Sequence, residues 1–156
     1  MKVCIFGGTF DPIHLGHENI INDLLKKFDK VIIVPSKQSP HKNNSPTANS
    51  LARIEMLSLC KFAKHSNCII SDYELKSKES LSYTIDTVCH IENKFKNADI
   101  YIAIGLDQLY TINDWHKAEK LFSMVKIICF NRQAEVSEEA SSFNFEYNLI
   151  KNFNHN

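Results

Sequence analysis

His14 and His17 stand three residues apart, flanking Gly16, in the stretch Gly7-Gly8-Thr9-Phe10-Asp11-Pro12-Ile13-His14-Leu15-Gly16-His17. An apolar run, Val3 to Phe6, leads into it and a helical pattern follows. Strand, glycine pair and helix entrance form an arrangement that cradles phosphate. Glycines let the backbone approach, amides point at the anion, and the helix dipole adds positive potential. Gly7 and Gly8 supply the close backbone and Thr9 a hydroxyl. The pattern is neither GxGxxG nor the Gly-Lys-Ser/Thr phosphate loop. At the helix entrance both histidines can face one phosphate and donate to charge that develops there. A lone histidine would more often be a helix-start or solvated loop residue; the pair in this setting favours phosphate chemistry. Zinc is a weak alternative, since no third ligand lies at standard spacing.

Positioning such groups requires a scaffold, and the apolar pattern supplies one. Strand-like runs occur at Val3–Phe6, Val31–Val34, Cys68–Ile70, Ile100–Ile104 and Val125–Phe130. Several are continuous rather than alternating, as in strands covered on both faces. Helical stripes lie between them. Residues 17–28 carry Ile20, Ile21, Leu24, Leu25 and Phe28; residues 50–64 carry Leu51, Ile54, Leu57 and Leu59. Residues 82–95 carry Ile85, Val88, Cys89, Ile91 and Phe95; residues 114–123 carry Trp115, Ala118, Leu121 and Phe122. Strands alternating with helices predict an α/β fold: a doubly wound, Rossmann-like parallel sheet of about five strands with helices on both faces. Residues 1–132 form that domain, and residues 133–156 a C-terminal extension, flexible and then a short strand from Phe143 to Ile150.

In such sheets ligands bind at the carboxyl ends of the strands. Gly105 closes the fourth strand and Asp107 follows it, placed to accept from ribose hydroxyls or to cap a helix. Arg132 ends the fifth strand and fits a phosphate contact. Residues 35–49 form a polar loop long enough to be functional. Arg53 lies on a helical pattern and reads as a surface or ion-pair residue. His65, His90, His116 and His155 belong to no constellation.

Composition narrows the function classes. The chain has 156 residues, 44% of them hydrophobic, so it can bury a core. Eighteen basic residues balance eighteen acidic ones, which argues against a general nucleic-acid binder. No apolar run approaches the ~20 residues of a membrane span. Five cysteines without a CxxC pair read as reduced, buried thiols of a cytoplasmic protein rather than a disulfide framework. Only four glycines occur, three within residues 7–16.

The Gly7–His17 stretch resembles the signature of nucleotidyltransferases with the (His/Thr)-x-Gly-His motif, and more narrowly that of bacterial nicotinate-nucleotide adenylyltransferases. Pro40-His41-Lys42, Ser82-Tyr83-Thr84-Ile85-Asp86-Thr87, Gly105-Leu106-Asp107, Trp115 and Arg132 agree in order and spacing. The likeness covers residues 1 to about 132. Relatives usually carry a later Ile-Ser-Ser-Thr-x-Ile-Arg motif, whose serine and arginine bind ATP phosphates. That motif is not among these 156 residues, so the sequence either stops short of it or lacks part of the triphosphate site.

The resemblance implies transfer of adenylyl from ATP to nicotinate mononucleotide, giving deamido-NAD and pyrophosphate. His14 and His17 would be catalytic. Gly7, Gly8, Thr9, Phe10, Lys42, Gly105, Asp107 and Arg132 would bind ATP or phosphate. Trp115 would stack on the pyridine, with Tyr83 and Thr84 near its carboxylate. Mg²⁺ would come with ATP, held by phosphates and water rather than a protein cage. The implied partners are these two substrates, without nucleic acid or membrane, in a monomer or homo-oligomer. The competing readings are another adenylyltransferase of the superfamily, taking nicotinamide mononucleotide or phosphopantetheine, and a catalytically weak nucleotide-binding module.

Overall fold

The computed structural model describes residues 1–37, 46, 48–130 and the strand 147–150. Six strands form one parallel sheet: β1 (Lys2–Gly8), β2 (Lys30–Pro35), β3 (Cys68–Ile70), β4 (Asp99–Gly105), β5 (Lys126–Phe130) and β6 (Tyr147–Ile150). Their order is β3-β2-β1-β4-β5-β6. The five expected strands are present, and the extension adds a sixth beside β5, with Ile127 opposite Tyr147. The order reverses between β1 and β4, which is the switch point where doubly wound sheets open a ligand crevice.

Alternation along each strand divides the core in two. Val3, Ile5, Ile32, Val34, Ile102, Ile104 and Ile127 point to one face, against Ile85, Val88 and Ile91 of α4 (Thr84–Lys94) and Leu121 of α6 (Ala118–Met124). Cys4, Phe6, Val31, Ile33, Ala103 and Ile128 point to the other, against Ile20, Ile21 and Leu24 of α1 (Leu15–Lys27) and Leu57 of α2 (Ser50–Leu59). Both faces are therefore covered, which is why the strand sequences read as continuous apolar runs. Each fully buried aliphatic chain contributes about 1.5–3 kcal/mol of transfer free energy.

Two helical stripes differ from expectation. Leu51 and Leu59 are 69% and 83% exposed. The buried face of α2 instead carries Leu57 and the charged Arg53. The predicted 114–123 helix is broken: a 3-10 turn covers Ile112–Asp114, and α6 begins only at Ala118. Lys117 between them has φ 52°, a left-handed conformation that a continuous helix cannot pass through. Two short helices, α3 (Tyr73–Lys76) and α5 (Leu106–Leu109), complete the described elements with a 3-10 turn at Lys61–Lys64. Cys4 and Cys129 are buried as expected, while Cys60, Cys68 and Cys89 are half-buried; all five are free thiols.

Candidate active site

The carboxyl end of β1 delivers Gly7 and Gly8 beside Val34 and Pro35 of β2. A Cβ on Gly8 would meet the Phe10 ring at 3.1 Å, a contact tight enough that the ring would have to give by a few tenths of an ångström, and Gly8 has no left-handed φ. Phe10 itself takes the left-handed conformation, φ 50°, and drives its ring into the core. There it meets Phe6 edge-on at 5.6 Å and His17 edge-on at 5.0 Å. The Phe10 side chain is thus a support beneath His17, and only its backbone faces the loop surface.

His14 is the N-cap of α1 and His17 its third residue. His14 Nδ1 accepts the His17 amide at 3.4 Å, and His17 Nδ1 accepts the His14 amide at 3.3 Å. The rings stack at 3.7 Å. This reciprocal box occupies both Nδ1 atoms as acceptors, so the neutral rings carry their protons on Nε2. Each Nε2–H is then a donor held at a helix N-terminus.

The loop around this pair is tied down by a residue that reads as a surface charge in the sequence. Arg53 is only 2% exposed. Its Nη1 donates to the carbonyls of Thr9 at 2.9 Å and Ser36 at 2.6 Å. Ser36 in turn donates its amide to the Gly8 carbonyl at 2.8 Å. Asp11 accepts the Ala48 amide at 3.1 Å. The loops after β1 and β2 are therefore one clamped unit, with a guanidinium in place of any apolar residue at its centre. Helical periodicity placed Arg53 on α2 but could not show that two carbonyls from other loops wait on its buried side.

On the other side of β1 a cavity opens. Gly7, Gly8, Ser82, Tyr83, Thr84, Thr87, Gln108, Trp115 and His116 line it, above Ile5, Val34, Ile102 and Ile104. It brings together the glycine pair with Tyr83, Thr84 and Trp115. Tyr83 is the N-cap of α4 and makes no side-chain cap. The Asp86 amide in the first turn bonds the Tyr83 carbonyl at 3.2 Å, and Thr84, the first residue of α4, stands at the cavity wall, where a helix start can meet an anion. Tyr83 packs on His116 at 4.4 Å. Gln108 was not singled out in the sequence and His116 was read as belonging to no constellation, because the four-residue α5 and the segment before α6 carry no periodic pattern.

Gly105 ends β4, and a Cβ there would stand 2.8 Å from Asp107 Oδ1. Asp107 therefore folds back over the ends of β4 and β5, and its charge helps burial raise the thiol of Cys129. The Gly105 amide is already bonded to Gln108 Oε1 at 3.2 Å, so the amide is not a free phosphate donor. Lys42 and Arg132 lie outside the described residues. Among the described residues no group of three or more His, Cys, Asp or Glu could hold a metal, and no helix is long and apolar enough to cross a membrane.

A glycine turn feeding a histidine-capped helix, at the switch point of a doubly wound parallel sheet, defines a Rossmann-like nucleotide-handling protein. Comparison with known proteins narrows this. The model of the cytidylyltransferase-like family matches residues 5–153. A protein of Aliarcobacter butzleri is 37% identical over 145 residues, 92% of this chain and 78% of that protein. One of Clostridium acetobutylicum is 40% identical over 135 residues, 84% of this chain and 66% of that protein. Both are named "Probable nicotinate-nucleotide adenylyltransferase". The chain belongs to the cytidylyltransferase-like family and, within it, to the nicotinate-nucleotide adenylyltransferases, a group of nucleotidyltransferases. In fold it matches nicotinic acid mononucleotide adenylyltransferase of Plasmodium falciparum complexed with NaAD, at TM-score 0.77 and 23% identity, over 96% of this chain and 74% of that one. The same enzyme complexed with APC matches at TM-score 0.74 and 23% identity, over 96% and 73%.

Proposed function

We propose that the chain transfers the adenylyl group of ATP to nicotinate mononucleotide. An oxygen of the mononucleotide 5′-phosphate attacks the α-phosphorus in line. The bond from that phosphorus to the bridging oxygen breaks, and pyrophosphate leaves with the electron pair. No covalent enzyme intermediate is required, so positioning and charge stabilisation supply the catalysis. The His14 and His17 Nε2–H groups would meet the α-phosphate oxygens as charge builds, beside the backbone of Gly7, Gly8 and Thr9. Asp107 would accept from ribose hydroxyls. Lys42 and Arg132 would face phosphate, and ATP would enter as its magnesium complex, the ion carried by phosphates and water.

The observation that carries this reading is the cavity that joins Gly7–Gly8 to the N-terminus of α4 and to Trp115. It offers a phosphate turn, amides for a carboxylate and an indole for a flat ring within one enclosure. The names of the relatives, and the NaAD in the P. falciparum structure, support the same pair of substrates.

The test is product formation from ATP with nicotinate mononucleotide, nicotinamide mononucleotide and phosphopantetheine in turn. Deamido-NAD and pyrophosphate should form in equal amounts. Near neutral pH nicotinate should be favoured over nicotinamide about 5- to 150-fold, because the carboxamide presents an NH₂ group to the same donors and leaves a pair worth about 1–3 kcal/mol unsatisfied. Preference for phosphopantetheine would overturn the reading.

A further inference from the structure

Glu74 is the only acidic residue among the described residues that line the cavity. It projects from α3, a helix that nothing in the reading above employs. Thr87 Oγ1 donates to Glu74 Oε1 at 2.6 Å, and the Ser82 hydroxyl also bonds this carboxyl. Ser82 and Thr87 bracket Tyr83 and Thr84, the start of α4 that the acceptor reading sets near the carboxylate. Ser82 Oγ accepts the Lys37 amide at 3.2 Å, so the same hydroxyl links the loop after β2 to Glu74. A carboxyl group thus shares one enclosure with the amides expected to hold the substrate's carboxylate.

We propose that Glu74 reads the 3-substituent of the acceptor's pyridine ring and makes the choice between carboxylate and carboxamide depend on pH. The inference rests on the acceptor reading above. An ionised Glu74 sets like charge against a nicotinate carboxylate, but it can accept from a carboxamide NH₂. A protonated Glu74 donates its O–H to the nicotinate carboxylate. Nicotinate is therefore the acceptor of the protonated enzyme, and nicotinamide gains as the proton leaves.

The surroundings move this carboxyl upward. Burial raises the Glu74 carboxyl above the ordinary range, and the nearby Asp86 charge on α4 adds to the rise, while the Ser82 and Thr87 hydroxyls oppose it. Lys37 does not neutralise the carboxyl directly, since its Nζ donates to the Ser77 carbonyl at 2.8 Å. On α3 itself, Asp72 and Lys76 pair with each other at 2.7 Å. His90 of α4 stacks on Tyr73, and Glu79 lines the adjoining cavity with Asp86. Across the enclosure stand Tyr83 and His116. His116 is the histidine that lines this enclosure, so its variant is the control.

The readout is the ratio of kcat/KM for nicotinate mononucleotide to that for nicotinamide mononucleotide, from pH 5 to pH 9. The ratio cancels the titration of the 5′-phosphate and of ATP, which both acceptors share. It also cancels any purely structural loss. In the parent chain the ratio should fall about tenfold or more with rising pH, as one pKa unit of difference between the two complexes requires. In Glu74→Gln, whose amide stays neutral and can still bond Ser82 and Thr87, the ratio should be flat. In His116→Asn the slope should persist. A flat ratio in the parent, with both acceptors turning over, overturns the Glu74 assignment and leaves the acceptor reading intact. A slope that survives in Glu74→Gln, or vanishes in His116→Asn, also overturns it. Transfer to neither acceptor removes the acceptor reading and this inference together. Should Glu74→Gln fail to fold, calorimetry of the parent chain in buffers of different ionisation enthalpy decides. Binding of nicotinate mononucleotide at pH 7 should take up more protons than binding of nicotinamide mononucleotide, and equal uptake overturns the proposal.

Discussion

His14 and His17 cap each other. Each Nδ1 accepts the backbone amide of the other residue, at 3.4 and 3.3 Å, and the rings lie face to face at 3.7 Å. One pair of side chains therefore closes the N-terminus of α1 and presents two Nε2–H donors. Structure and chemistry can be separated by substitution. His14→Asn should retain the cap, because asparagine is among the best N-cap residues, while His14→Ala should lose about 1 kcal/mol. Both should lose the Nε2 donor and turn over at least a hundredfold more slowly, as removal of one donor to developing charge costs about 3–4 kcal/mol. His17→Ala should behave likewise in turnover. Thermal melts beside steady-state rates check this; near-normal rates in folded variants would sink the catalytic assignment.

Arg53 should matter far more than an exposed charge. Arg53→Met leaves the carbonyls of Thr9 and Ser36 without their donor. Two such losses cost about 2–5 kcal/mol together. The clamp between the loops after β1 and β2 opens, so KM for ATP should rise along with the drop in stability. Arg53→Lys keeps the charge but not the fork and should fall between. Denaturant titration and ATP kinetics on the same samples decide. A change within about 0.5 kcal/mol, the usual range for a surface site, would show that the clamp carries no load.

Gly105→Ala tests Asp107 without touching it. Gly105 has φ −77° and ψ 164°, a conformation alanine accepts freely. The added Cβ would stand 2.8 Å from Asp107 Oδ1, and the flexible carboxylate must swing away. Stability should hold, while KM for ATP rises about tenfold or more, the worth of one charge-assisted contact. Asp107→Asn should show a similar rise. An unchanged KM in both variants would remove Asp107 from the nucleotide site.

The thiols should be slow to react. Burial pushes Cys68 up to about 11 and Cys129, with the Asp107 charge adding, up to about 11; burial raises Cys4 further. Two units above the ordinary 9.0 means about a hundredfold less thiolate at pH 8. Mass spectrometry after brief alkylation should find these three unmodified in the native chain and modified in urea. Because the folded values are raised, the stability they carry is complete below pH 9 and declines as pH climbs toward 11. Denaturant midpoints should fall over that interval, and rapid native alkylation of Cys68 would contradict its raised thiol.

Much of this protein is written locally. Continuous apolar runs and period-3.6 stripes determined β1 to β5 and the inner faces of α1 and α4, because covering both sides of a parallel sheet leaves continuous apolar runs. The glycine pair before His14 and His17 marked the phosphate turn, since its chemistry lies within eleven consecutive residues. Tertiary structure decided what depends on distant partners. Arg53 is central only because carbonyls from residues 9 and 36 converge on it. Leu51 and Leu59 satisfy the helical pattern yet face outward, because periodicity does not say which stripe meets the sheet. Glu74, Gln108 and His116 come from three short segments whose patterns are silent, and only the crossing of the chain around β1 and β4 sets them in one cavity with Tyr83, Thr84 and Trp115. A side chain's local spacing fixes the direction in which it leaves the backbone; what stands there to receive it is a property of the fold.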